Sequence, residues 1–119
     1  MIGRIVESLI FEVTKVMPCF SQLPLAEKPY PFAVLEETIT STRRPRFSVN
    51  IIVDIWDNKL NETYVDLDTL AKDLYDIVVI KEKFFYQGKW EVVQNVPTME
   101  EGLTRKQIRL ELTGWNLML

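Results

Sequence analysis

The chain contains no histidine. That removes the commonest general base and the commonest metal ligand together. It has one cysteine, Cys19, set between Pro18 and Phe20. No internal disulfide can form, so the fold is expected to be stable in a reducing cytosol. With no imidazole to activate it, Cys19 reads as a structural thiol. Glycine is scarce as well: Gly3, Gly88, Gly102 and Gly114 stand far apart. No glycine-rich phosphate loop is present, and Gly88 and Gly102 read as turn residues. No apolar run reaches the roughly 18 residues of a membrane span. The apolar positions from Ile2 to Met17 are broken by Glu7, Glu12 and Lys15, unlike a secretory signal. The expectation is a mature cytoplasmic protein.

What is present is an ordinary globular composition. The 119 residues are 47% hydrophobic and 26% charged, which fits one domain over 1–119 burying roughly two thirds of its unfolded surface. A net charge of −3 gives no reason to expect nucleic acid as the main ligand. The acidic pairs do not form a site. Asp54 and Asp57 straddle a strand end, Glu36 and Glu37 alternate across a strand, and Asp66 and Asp68 point about 200° apart on a helix. A hard cation needs several converging oxygens, so these read as solvated carboxylates. No catalytic, cofactor or metal residue is assigned, and the chain reads as a non-enzyme.

The clearest pattern lies in 46–56. Phe47, Val49, Ile51, Val53 and Ile55 fall on one face, while Ser48, Asn50, Asp54 and Trp56 fall on the other. That predicts a long antiparallel strand with one dry side. An apolar stripe from Ile2 to Met17 predicts a helix over 2–17, stopped by Pro18. Pro18, Pro24, Pro29 and Pro31 then mark an extended connector. A strand over 32–40 and the turn-prone 41–45 complete a hairpin with a basic tip. Thr63 is expected to cap a second helix over 63–78, with Asp66 in its first turn. Aromatic residues crowd 82–96 around a turn at Gln87-Gly88, and the last strand is expected over 106–113. The class is therefore α+β: four strands, mainly antiparallel, with two helices on one face, in the order α-β-β-α-β-β.

Two surface features could meet a partner. Arg43, Arg44 and Arg46 concentrate charge at the hairpin tip, either as a solvated tip guarding an edge strand or as a contact for an acidic surface or DNA phosphate. Trp115, Leu117, Met118 and Leu119 form an apolar end beyond the last strand, which a monomer gains nothing from exposing.

From Pro31 to Trp115 the chain resembles the tail-terminator (tail-completion, head–tail joining) proteins of long-tailed bacteriophages. The likeness is carried by the N-terminal amphipathic helix, Pro-Tyr-Pro-Phe-Ala-Val-Leu at 29–35, and Val53-Asp54-Ile55-Trp56-Asp57 ending the hairpin. The helix Leu67 to Ile77 and Gly102-Leu103-Thr104-Arg105 before the last strand add to it. The apolar end at 116–119 departs from the family pattern. The resemblance implies a homohexameric virion ring at the head-proximal end of the tail, assembled in the host cytoplasm. Such a ring caps the tube, ends elongation and offers a docking surface to the head. Its partners would be other copies of the chain, the tail tube protein and the head-completion connector, with DNA only passing through the lumen. No membrane, cofactor or reaction is implied. The alternative is a small cytoplasmic phage or prophage binding or regulatory protein, acting as a monomer or dimer.

Overall fold

In the computed structural model the described residues are 2–23, 30–41, 46–58, 66–98 and 102–115. Helix α1 (Ile2–Thr14) buries Ile5, Leu9 and Val13 along one stripe. The chain then turns for three residues, with the Met17 amide still donating to Val13, before Pro18 ends the helical run. Five strands follow: β1 (Cys19–Phe20), β2 (Phe32–Ser41), β3 (Phe47–Asn58), β4 (Gln87–Val93) and β5 (Leu103–Gly114), with helix α2 (Leu67–Tyr75) between β3 and β4.

The expected four-stranded, mainly antiparallel sheet in the order α-β-β-α-β-β is overturned. The sheet is mixed and has five strands, ordered β1-β2-β3-β5-β4. The added strand, β1, lies in the proline-marked connector and pairs parallel with β2 through Cys19–Ala33 and Phe20–Val34. Its anchor is the Ala33 amide, which donates to the Pro18 carbonyl at 2.8 Å. A two-residue strand has no room for an alternating pattern, so periodicity could not reveal it.

The central strand β3 places Phe47, Val49, Ile51, Val53 and Ile55 at 5% exposure or less. They join the apolar stripes of α1 and α2, Ala33 and Leu35 of β2, and Ile108, Leu110 and Leu112 of β5 in one core. Both helices therefore pack on the same side of the sheet. The opposite side, the open face, is polar along most of its length. At one corner Phe32 is also buried on this face, 1% exposed, between the rings of Phe20 and Tyr30. Beta-2 is thus apolar on both sides at its start, which explains the unbroken run Phe32-Ala33-Val34-Leu35.

Helix α2 begins later than expected. Its N-cap is Asp66, whose carboxylate accepts from the Thr69 amide at 3.1 Å and hydroxyl at 2.8 Å. These two bonds hold the Asp66 pKa below its ordinary value. Thr63, the expected cap, lies outside the described residues. The helix widens into a π-helical stretch over Asp76–Lys81, closed by the Glu82 amide donating to Ile77. Lys83 then takes a left-handed φ of 54° and turns Phe84 and Phe85 back into the core. Gln87-Gly88, expected as a turn, instead opens β4, where Gly88 pairs with Leu112.

Candidate partner-contact surfaces

The sequence pointed to the basic tip and the apolar end, and the described members of each fall at one end of the sheet. Phe47 pairs with Gly114, so Arg46 and Trp115, the next residues outward on each strand, leave the sheet at the same place. Arg46 is exposed. Trp115 is 55% exposed and stacks on Tyr86, with ring centroids 4.6 Å apart and planes 20° from parallel. The two strands can close together there because position 114 has no side chain. A Cβ on Gly114 would lie 2.6 Å from the Phe47 ring and 3.1 Å from the Phe84 carbonyl. Arg43, Arg44, Leu117, Met118 and Leu119 lie outside the described residues.

Beside this end the open face carries a shallow groove of about 540 Å³, lined by Thr40, Ser48, Asn50, Gln87, Lys89 and Thr113 among others. Its walls offer hydroxyls, amides, the Lys89 ammonium and the Glu111 carboxylate, the last two paired at 3.2 Å. They contain no paired nucleophile and base.

A second constellation was not expected from the sequence. Asp54, read there as a solvated carboxylate, is only 8% exposed, and Asp57 is 6% exposed. Arg105 donates to Asp54 through Nε at 2.8 Å and Nη2 at 2.5 Å. Its guanidinium also lies over the Trp56 ring, 4.6 Å from the centroid. Gln107 donates to Asp54 at 3.4 Å, and its own carbonyl oxygen accepts twice from Arg109, at 3.0 and 2.8 Å. Arg109 reaches on to Glu91 at 3.5 Å. A chain of polar contacts thus crosses the open face from β3 through β5 to β4. The hydrogen bond from Arg105 to Asp54 is the main cause that raises the Arg105 pKa, so this cation stays charged at any ordinary pH. Every charge in the chain of contacts has a partner of opposite sign or a hydrogen-bond acceptor. The arrangement fixes side chains; it does not expose a reactive group.

Cys19 is half-buried, and burial pushes its thiol up to about 11. At neutral pH it is a protonated, weakly nucleophilic group. Among the described residues no three acidic or thiol side chains converge as a cation site requires, and no helix is long and apolar enough to cross a membrane. Compared with known protein families and with curated proteins, the sequence matches none.

Proposed function

We propose that this chain is a structural assembly protein of the tail-terminator kind. In this reading it caps the tube of a long-tailed bacteriophage as a homohexameric ring, ends elongation and offers the head its docking surface. One observation supports the reading most. Arg46 and the exposed Tyr86–Trp115 stack occupy the same end of the sheet. Aromatic rings and arginine are among the residues that interfaces concentrate. The partners in this reading are other copies of the chain, the tube protein and the head connector. DNA meets the ring only while crossing its lumen, and no reaction or cofactor takes part.

The test is electron microscopy of tails assembled with and without the protein. A terminal ring is expected only on the tails that contain it. Tails that end identically in both preparations would refute the proposal. A second reading, a small binding or regulatory protein, has one observation in its favour: Phe11 on α1 is 69% exposed. In that case light scattering would find a monomer or dimer, and the tails would be unaffected.

A further inference from the structure

The sheet has two borders, and both are largely unpaired among the described residues. On one side β1 covers β2 only at Ala33 and Val34. That leaves Leu35–Ser41, seven of the ten residues of β2, with an open outer edge. On the other side β4 ends the sheet along all seven of its residues. Open backbone edges are templates for another strand. Here two of equal length stand on opposite sides of one molecule.

Direction and hydrogen-bond phase both match. Beta-2, β3, β5 and β4 are each antiparallel to the next, so β2 and β4 run oppositely. Setting β4 of one copy beside β2 of another, without turning the sheet over, makes an antiparallel pair with the helices of both copies on the same side. The Ala33 amide points outward, to Pro18. By the two-residue period, Leu35, Glu37 and Ile39 also turn their amides to the open border. Ala33, Leu35, Glu37 and Ile39 stand opposite core-side residues of β3, so they share the helix side of the sheet. For L-residues, reversing strand direction reverses the side to which a residue of given face directs its backbone groups. On β4 the helix-side residues Gly88, Trp90 and Val92 therefore also point outward. An antiparallel ladder bonds opposed residues of one face, and these two sets meet that condition.

Side chains select the register. Ile39 is 44% exposed and Trp90 is 36% exposed, one on each border and both on the helix side. Opposing them covers both. The same alignment sets Glu91 against Thr38, which suits cross-strand pairing, and ends at Thr40, where the register of β2 shifts. A slip of two residues toward the start of β2 would oppose Glu91 and Glu36. A further slip of two would carry Glu91 onto Val34, whose outer edge is already taken by Phe20.

We infer that copies of this chain join head to tail through an antiparallel β4–β2 ladder, with Trp90 of one copy against Ile39 of the next. The partner is a second copy because each border finds its complement in length, phase and apolar contact on the other border of the same molecule. A heterologous contact of this kind closes into a ring or extends as a filament; closure, but not the ladder, rests on the function proposed above. The polar open face runs on from copy to copy.

The test replaces Thr38 and Glu91 by cysteine in a Cys19→Ser background and treats the protein, at its highest soluble concentration, with a short bismaleimide. The double variant is expected to give a series of linked products extending beyond dimer, and each single-site variant none. Trp90→Glu added to the double variant is expected to abolish the series while leaving the thermal transition in place. Dimers from a single-site variant would mean that like borders pair with like, which overturns the inference. Monomer alone from the double variant overturns it too. Rings seen by microscopy without linked products would retain the ring and reject the ladder. Linked products without closed rings would do the reverse.

Discussion

Arg105 binds Asp54 diagonally across two strands. Asp54 stands opposite Gln107 in the ladder and Arg105 stands opposite Trp56, yet the guanidinium reaches back one row to make both bonds to the carboxylate. The diagonal holds the guanidinium over the ring of Trp56, the residue directly opposite Arg105. It also leaves Gln107 free to bridge Asp54 to Arg109. Asp54 is nearly buried, whereas the Arg105 side chain retains 27% exposure. Replacing Asp54 by alanine leaves a half-sheltered cation without its acceptor and is expected to cost about 2–3 kcal/mol, below the roughly 3–5 kcal/mol of a fully buried pair because Arg105 keeps 27% exposure. Chemical denaturation of the variant measures this. A loss below about 0.5 kcal/mol, the level of an exposed pair, would contradict the structural weight given to the contact.

The core makes a harsher prediction. Ile51 and Val53 are 1% and 0% exposed at the middle of β3, beneath both helices. Aspartate at either position would bury an unpaired charge, an effect large enough to remove most of a small domain's stability. The expected outcome is loss of soluble folded protein in both variants. A normal thermal transition in either would show that the core has been misplaced.

The face alternation of β3 was legible in the sequence because every second position from Phe47 to Ile55 is apolar; Asp57, on the same side and 6% exposed, ends that run. The apolar stripe of α1 was legible for the same reason. The open-face contacts were not, since Asp54 and Arg105 are 51 residues apart and their meeting depends on register. Placing β5 beside β3, with β4 pushed to the border, is a matter of topology that no local pattern encodes. Gly88 was misread because glycine signals turns far more often than close approach. Here a Cβ would sit 2.7 Å from the Leu112 side chain and 2.9 Å from the Glu111 carbonyl, so the strand needs glycine to pair at all. Of the residues singled out for partner contact, Arg46 and Trp115 could be placed, and the pairing of Phe47 with Gly114 supplies the reason they share an end.

Gly114 gives a sharper test of that end. Alanine there would push against the Phe47 ring from 2.6 Å, and Phe47 is itself 2% exposed and packed on Phe85 at 5.6 Å between centroids. The ring has little room to yield. Gly114→Ala is expected to destabilise by about 1–3 kcal/mol, as overpacking does. Phe47→Leu removes the obstructing ring edge, so the double variant should lose less than the sum of the two single losses. Strict additivity in thermal or chemical denaturation would mean that the two residues do not meet.

Cys19 supplies a pH dependence with a definite sign. Its folded pKa, about 11, is raised above the unfolded value of 9.0 by burial. Raising an acid's pKa means that the folded state prefers the proton, so this contribution to stability is complete below about pH 9 and fades as pH climbs toward 11. The thiolate fraction at pH 8 is correspondingly lower than in the unfolded chain by about 100-fold. Labelling by a thiol reagent at pH 8 should therefore be slow in buffer and fast in denaturant. Equal rates under the two conditions would refute the sheltered position of β1.

The arginine cluster tests the proposed assembly role most directly. Arg43, Arg44 and Arg46 put three guanidiniums within four residues of a chain whose net charge is −3. They repel one another unless an anionic surface meets them, and Arg46 is exposed at the end of the sheet that also carries Trp115. In the proposed ring, two anionic targets would be available: carboxylates on the neighbouring subunit or tube protein, and DNA phosphates in the lumen. The protein target is the better fit. Each phosphate contact adds salt-sensitive affinity that would hold back DNA meant to slide, whereas interface ion pairs set register and partner choice. Changing all three arginines to serine is expected to leave the protein folded with a cooperative thermal transition; Arg46, the described member of the three, is exposed. Assembly onto tails should fall, and fall further with added salt, because exposed charges are screened over about 10 Å at 0.1 M. Normal assembly with failed DNA delivery would assign the arginines to the lumen instead. Normal assembly and normal delivery together would leave the cluster with no partner to contact.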